Sequence, residues 1–295
     1  MATWTSNPGL VLVDKPCGWT SRRAGAVVSK QLGIKKIGHL GTLDPFATGL
    51  LPLCVGRGTR LSHFLDQSRK VYEAELVLGV ETDSADREGE VLSERPVPPL
   101  TSSQVQAAAQ RFVGAIEQVP PVYSAVKIDG ERAYRRARRG EQVEIPARRV
   151  DIYRFEVELC APNLLRLGVE CGPGTYIRSL GRDLAQALGS VGHLRALRRT
   201  QVGGLSVVEA CQPEQLSKEA VWSVGTLLGV LGDPVHVDLD EARTCQRDQQ
   251  GRDHDLLRHV DLHRGRGPSP PPPVVTPPYR PPVGSVAGKI TERTS

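Results

Sequence analysis

Acidic side chains are almost absent from an early part of this 295-residue chain. Asp44 is the only carboxylate from Lys15 to Leu65, a stretch that also contains eight lysines and arginines. Residues 15–70 together carry ten basic and two acidic side chains, whereas the whole chain has a net charge of +5. A basic region of this kind suits a phosphate backbone, and a lone acid within it is a poor candidate for a solvated face.

The sequence also lacks the patterns of zinc sites and membrane spans. Its six cysteines form no C-x-x-C pair and show no metal-ligand spacing with the seven histidines. No window reaches the roughly 18 apolar residues of a membrane span, and residues 1–9 lack a basic segment followed by an apolar core. We therefore expect a soluble cytoplasmic protein with reduced thiols, no metal and no membrane association.

The apolar patterns predict an α+β fold with a mixed sheet. Helices and strands alternate without a regular βαβ rhythm, which disfavours a doubly wound fold. Thr101 and Gln104 form a capping box for one of the helices. Strands are predicted at 9–13, 50–55, 70–80, 150–159 and 164–171, and helices at 20–33, 101–113 and 176–188, with a short helix after residue 56.

Asp44 lies in residues 38–52, where glycines, a threonine and a proline restrict the backbone and side chain. This setting predicts a nucleophile or a base, although an Asp before Pro is also common in turns. A glycosidase needs a second carboxylate across the scissile bond, and the segment offers none. A nearby guanidinium would keep Asp44 ionised, and Arg178, which follows residues 172–175, is a candidate partner.

Other chemistry-bearing side chains have both a functional and a structural interpretation. His39 is a candidate general base or a structural histidine near a turn. Tyr72 and Tyr176 are ligand contacts or core aromatics. Five arginines within residues 132–139 form a solvated helix face, or they bind a polyanion such as RNA, whose phosphates and exposed bases suit guanidinium planes.

Seven short motifs in a fixed order resemble the bacterial TruB-type tRNA pseudouridine synthases, which isomerise the T-loop uridine at tRNA position 55. They extend over roughly residues 9–205. The motifs are DKP (14–16), GH through DP to ATG (38–49), KVY (70–72), TD with Asp86 and Gly89 (82–89), VYSAVK (122–127), GTYIR (174–178) and LRR (197–199).

The resemblance implies that Asp44 is the catalytic aspartate, which attacks either the uracil ring or the ribose anomeric carbon. It implies an isomerisation that needs no cofactor or metal and that extrudes the target nucleotide. His39 would fill the vacated space. Tyr72 would stack on the extruded base and assist proton removal.

The same resemblance assigns further contacts to tRNA, through its T stem-loop. We expect the protein to be a monomer. Tyr176 and Leu197 would line the pocket, and Arg178 would pair with Asp44. The surface facing RNA would include Lys15, Arg60 and residues 123–139, with Arg60 in place of a more familiar lysine. The alternative hypothesis is a non-catalytic tRNA-binding or tRNA-folding protein.

The family's fold is a twisted mixed sheet, mainly antiparallel and flanked by helices, that is usually followed by a small PUA-like domain. We expect the catalytic domain at residues 1–230, with an RNA-gripping insertion at 123–149. Residues 231–245 resemble the start of a PUA-like domain that is degenerate or missing. Residues 268–282 contain nine prolines, so we expect 246–295 to be a disordered tail.

Overall fold

A computed structural model describes residues 9–61, 67–124, 127–128, 131–132, 136, 139, 141 and 145–223. All of them belong to the first of two units, Met1–Thr244; the second unit is Cys245–Ser295. The predicted PUA-like segment at 231–245 and the Pro-rich tail at 246–295 lie outside the described residues. None of the described helices combines the length and apolar character that a membrane crossing requires.

Three helices and fourteen strands make up the described part of the unit. The helices are α1 (Ser21–Leu32), α2 (Ser102–Gln110) and α3 (Ile177–Ala187). The strands are β1 (Gly9–Lys15), β2 (Ile37–His39), β3 (Thr48–Val55), β4 (Lys70–Leu78), β5 (Val80–Thr82), β6 (Val91–Glu94), β7 (Gly114–Gln118), β8 (Lys127–Ile128), β9 (Glu131–Arg132), β10 (Arg148–Ala161), β11 (Leu164–Cys171), β12 (Gly192–Val202), β13 (Leu205–Ser206) and β14 (Trp222–Ser223).

A ten-stranded sheet forms the centre of the described structure. Its order is β14-β1-β3-β12-β4-β11-β10-β7, with β13 added to β12 and β2 added to β3. The pair of β12 and β3 is parallel, and the other pairs in this sheet are antiparallel. The predicted α+β class, with a mixed and mainly antiparallel sheet, is confirmed.

The helix ends follow from local capping. Thr20 caps α1 by accepting a hydrogen bond from the Arg23 amide, and Gly33 ends this helix in the left-handed region at φ 68°. The predicted capping box of Thr101 and Gln104 is present in α2. That helix ends at Gln110 rather than near 113, because the chain must turn before Gly114 begins to pair with β10.

The route of the chain around β3 positions the site. β1 pairs with β3 from Gly49 to Val55. On β3, β2 pairs with residues 53–55 and β12 pairs with residues 48–49. Residues 40–47, which we call the Asp44 loop, connect β2 to β3. The loop therefore begins at β2, which pairs with β3, and ends at β3 itself.

Candidate active site

The Asp44 loop is held by hydrogen bonds from α1 and within itself. The Ser21 hydroxyl donates to the Leu43 carbonyl at 3.1 Å and accepts from the Leu43 amide at 2.9 Å. The Ala47 amide donates to the Asp44 carbonyl at 3.1 Å, which closes a turn around the carboxylate. These bonds fix the backbone on both sides of Asp44.

Gly49 allows β3 to lie directly against β12 just after the loop. Its φ is +100°, and a Cβ at this position would lie 2.2 Å from the carbonyl oxygen of Arg199. A side chain would therefore face both backbone strain and a direct clash with backbone. This explains physically why a glycine ends the motif that contains Asp44.

Asp44 forms a two-point ion pair with Arg178, at the start of α3. Arg178 Nε lies 2.9 Å from Asp44 Oδ2, and Nη2 donates to Oδ1 at 3.1 Å. The Arg178 side chain is only 3% exposed, whereas 32% of the Asp44 side chain is exposed. The pair thus presents a carboxylate that solvent or substrate can reach, held from behind by a buried guanidinium.

Arg178 is itself fixed by further contacts that sequence reasoning did not assign. Its Nη1 donates to the Ser84 carbonyl at 2.7 Å, and Nη2 donates to the Tyr123 carbonyl at 2.9 Å. Nη1 also lies 3.4 Å from Oδ2 of the buried Asp86. The motif at 82–89 contained the signal for Asp86, but only the fold shows that this acid shares an arginine with Asp44.

The surroundings of Asp44 shift the pKa of its carboxyl in opposing directions. Burial raises the pKa of its carboxyl above the ordinary value, and Asp86 raises it further. Arg178 gives the largest opposing effect through its charge and hydrogen bond, and the charge of Lys15 acts in the same direction. The result is a carboxylate more basic than a free aspartate but still paired with a cation.

The expectation that Lys15 faces RNA is wrong. Lys15 is 0% exposed, and its ammonium donates to the carbonyls of Pro16 at 2.9 Å, Trp19 at 2.7 Å and Pro45 at 3.3 Å. Burial lowers the pKa of Lys15 to about 8. Three carbonyls replace water around the ammonium, so the side chain supports the residue after Asp44 instead of reaching the surface.

Tyr72 lies on β4, inside the protein near the same site. It is 7% exposed, and burial raises the pKa of its phenol. The positive charge of Arg199 opposes this rise, whereas the charge of Asp44 adds to it. Tyr72 therefore lies within electrostatic reach of the Asp44 carboxylate.

Tyr176 lies immediately before α3 and is held by a buried glutamine. Its amide donates to Gln118 Oε1 at 2.8 Å, and its carbonyl accepts from Gln118 Nε2 at 3.1 Å. The Arg148 guanidinium lies 4.5 Å from the centre of the Tyr176 ring. Because Arg178 is only two residues further on, the same glutamine helps to orient both residues.

The remaining predicted site residues are distributed around the loop. Leu197 is buried in β12, and its carbonyl accepts a hydrogen bond of 3.5 Å from Thr48. His39 is exposed at the end of β2, where the Asp44 loop begins. Arg60 belongs to the 3-10 turn Gly56–Leu61, but its side chain lies outside the described part of the structure.

The predicted RNA-gripping segment at 123–149 is described only in part. Arg139 forms ion pairs with Glu131 and Glu141 at 2.7 Å, and Arg136 pairs with Glu141 at 2.9 Å. The run of arginines has no acid inside it, but the flanking glutamates neutralise these two members. Arg136 and Arg139 therefore do not need an RNA polyanion to relieve repulsion between their charges.

The described residues contain no group of three or more histidine, cysteine, aspartate or glutamate side chains that could hold a metal ion. The functional groups at this site are instead the partly exposed carboxylate of Asp44, buried cations and a phenol. Such a set can supply a nucleophile or a proton acceptor in a fixed pose.

Comparison with known proteins identifies the family. Residues 29–177 match the family described as "TruB family pseudouridylate synthase (N terminal domain)". The chain is 51% identical over 224 residues to tRNA pseudouridine synthase B of Ralstonia pickettii, covering 75% of this chain and 70% of that protein. It is 46% identical over 244 residues to tRNA pseudouridine synthase B of Xanthomonas axonopodis pv. citri, covering 81% and 79%.

A solved structure shares the fold. A chain in the crystal structure of a Cbf5-Nop10-Gar1 complex matches with a TM-score of 0.54 and 29% identity, covering 69% of this chain. The match covers 52% of that longer chain. The sequence matches and the shared fold agree with the motifs assembled around Asp44, and this chain belongs to the TruB family of pseudouridylate synthases.

Proposed function

We propose that Asp44 is the nucleophile of this enzyme and that its target is the T-loop uridine at tRNA position 55. The broader class, an isomerase that forms pseudouridine in tRNA, is supported by the family and by relatives named tRNA pseudouridine synthase B. The observation that carries the finer proposal is the Asp44–Arg178 pair, in which a partly exposed carboxylate is fixed by a buried guanidinium.

The reaction rearranges the atoms of one nucleotide. The bond from ribose C1′ to uracil N1 breaks, a bond from C1′ to C5 forms, and the proton on C5 is transferred to N1 by way of a base and solvent. The atoms and electrons balance without an oxidant, a reductant or a cofactor. Asp44 supports this route by attacking either the uracil ring or C1′ and leaving when the new bond is complete.

The neighbours of Asp44 have complementary parts in this proposal. Arg178 holds the carboxylate in one pose, and Lys15 supports the loop through the Pro45 carbonyl. Tyr72 stacks on the extruded base and assists removal of the C5 proton, with Tyr176 and Leu197 as further pocket walls. This arrangement lowers the barrier mainly by fixing the geometry of the reacting groups.

Access to the target requires base extrusion. A T-loop uridine is stacked, and extruding a nucleotide costs a few kcal/mol. In this proposal His39, which is exposed where the Asp44 loop begins, occupies the vacated space. We propose that the protein acts as a monomer on the T stem-loop and that residues up to about 230 form the catalytic domain.

The proposal is tested by comparing Asp44→Asn with the parent protein on a T stem-loop RNA, using site-resolved detection of pseudouridine. Asp183→Asn is the matched control. Asp183 lies on α3, the helix that also carries Arg178, but it pairs with the neighbouring Arg182. We expect Asp44→Asn to bind RNA but to form no pseudouridine, and Asp183→Asn to retain parental turnover.

Three results would contradict the proposal or part of it. Turnover retained by Asp44→Asn would remove Asp44 as the nucleophile. A parent protein that binds the T stem-loop without forming pseudouridine would instead favour a non-catalytic tRNA-binding or tRNA-folding protein. Pseudouridine formed only outside position 55 would preserve the enzyme class and overturn the proposed target.

A further inference from the structure

We propose that Arg199 is a positioning residue that ties the two ends of the Asp44 loop together and so sets the pose of the carboxylate. The inference rests on the proposed role of Asp44. It concerns a side chain on β12 that has no place in the chemistry described above.

The backbone of Arg199 pairs with Gly49, where β12 borders β3, and its side chain reaches Leu50, which neither β12 nor β2 pairs with. β2 pairs with β3 only at residues 53–55, and β12 pairs with it only at Thr48 and Gly49. Between these stretches the chain leaves the sheet to form the Asp44 loop. The Arg199 side chain supplies hydrogen bonds in this gap, where the strand ladder is interrupted.

The guanidinium of Arg199 contacts both ends of the loop. Nε donates to the Leu50 carbonyl at 2.8 Å, on the strand that follows the loop. Nη2 donates to the Gly41 carbonyl at 2.9 Å and to the Leu40 carbonyl at 3.3 Å, where the loop begins. One rigid, planar group thus fixes the distance between the start of the loop and its return to β3.

The burial and partners of Arg199 distinguish it from neighbouring arginines. Arg199 is 1% exposed, and among the described residues no carboxylate lies within ion-pair distance of it. Arg198 instead makes a two-point pair with Asp14, and Arg195 pairs with Glu75 near the surface. A buried cation satisfied by carbonyls is costly in a folded protein, so a neutral residue would suffice if only packing were needed.

The same guanidinium borders Tyr72. β12 pairs Arg199 with Tyr72 of β4, and the positive charge of Arg199 opposes the rise in the pKa of the Tyr72 phenol. Arg199 therefore links the loop that carries the nucleophile to the aromatic proposed to contact the base. A shorter single-point donor cannot make all of these contacts together.

The experiment compares Arg199→Lys and Arg199→Gln with Arg195→Lys and Arg195→Gln, which change an exposed residue on the same strand. Each full-length protein is measured for folded fraction, for affinity towards a T stem-loop RNA, and for single-turnover pseudouridine formation at saturating enzyme. Guanidinium and methylguanidinium salts at non-denaturing concentrations are then tested for rescue of Arg199→Gln.

We expect Arg199→Lys to remain folded and to bind RNA within about threefold of the parent, while its single-turnover rate falls by about 10- to 100-fold. Arg199→Gln should lose more activity and regain part of it with a guanidinium salt. The Arg195 variants should match the parent. If Arg199 served only to stabilise the fold, a folded variant that still binds RNA would not show a lower single-turnover rate.

Three results with the Arg199 variants would count against the inference. A rate near that of the parent in folded Arg199→Lys would overturn it, as would a loss fully explained by the folded fraction. Failure of both Arg199 variants to fold at low temperature would make Arg199 a structural core residue. Absence of pseudouridine formation by the parent would be different, because it would contradict the proposed function itself.

Discussion

At the scale of single residues, the Asp44 site combines a partly exposed carboxylate with unusually buried cations. Arg178, Lys15 and Arg199 are almost or fully buried, and carbonyl oxygens account for most of their recorded hydrogen bonds. Each of these cations holds a backbone segment and also contributes positive charge to the site. This arrangement lets the carboxylate remain partly exposed without losing its orientation.

A prediction for the pH dependence follows from Asp86. An attacking carboxylate must be ionised, so the rate should fall as the pH drops through the pKa of Asp44. Asp86 raises that pKa, and removing its charge should therefore move the acidic limb of the kcat/KM profile to lower pH. We expect this shift in Asp86→Asn, measured by pseudouridine formation from acidic to neutral pH.

Asp83→Asn is the control for this shift. Asp83 lies in the same turn and accepts a hydrogen bond from the Glu90 amide, but its charge is not among the main influences on the pKa of Asp44. Its acidic limb should coincide with that of the parent. A limb that stays in place or moves to higher pH in Asp86→Asn would show that Asp44 does not control the profile.

At the scale of elements, the close approach of β3 and β12 supports the loop. Gly49 and Gly18 both have positive φ, of 100° and 78°, but only at Gly49 would a Cβ meet backbone. We expect Gly18→Ala to lower the free energy of unfolding by about 1 to 2 kcal/mol through backbone strain. Gly49→Ala should lower it by about 3 kcal/mol or more, because strain and strand separation add.

Denaturant unfolding of the two variants checks this prediction. The comparison is sharp because both substitutions introduce the same side chain at a left-handed position. Equal losses of stability would mean that β3 and β12 separate easily, and the rigid support inferred for the Asp44 loop would then be wrong.

The elements also show how far the sequence could predict the structure. The ends of α1 and the capping box of α2 were predicted because helix ends depend on residues close together in the chain. β12 was not predicted, although it lies in the middle of the sheet. Register shifts between Leu194 and Ala196, and between Arg199 and Gln201, interrupt the alternation by which a strand is recognised.

The same limit applies to the site. Asp44 and its partner Arg178 were anticipated from the lone acid and the motifs, and the structure brings these two residues together. The burial of Lys15 and Arg199 was missed, because lysine and arginine are usually exposed. Their acceptors include carbonyls from distant segments, and no local pattern in the sequence reveals that arrangement.

At the scale of the whole molecule, two groups of exposed basic side chains differ in their partners. On one group of sheet strands, exposed arginines pair with glutamates, as in Arg195–Glu75 and Arg166–Glu158. Around α1 and β2, in contrast, Arg22, Lys35 and Lys36 are exposed within the acid-poor stretch that surrounds Asp44. We therefore expect the second group, rather than the first, to contact RNA phosphates.

Salt dependence separates these two groups. The affinity for a T stem-loop should fall steeply with salt, with a slope of about 0.7 to 0.9 for each phosphate contact. We expect a combined Arg22→Gln, Lys35→Gln and Lys36→Gln variant to bind more weakly and with a shallower slope. The matched control replaces Arg154, Arg166 and Arg195 with glutamine, which removes the same net charge from side chains paired with glutamates. A loss of affinity and slope confined to the first variant would place the phosphate contacts beside the Asp44 loop. Equal losses in both variants would contradict the prediction, because the net charge alone would then attract the RNA.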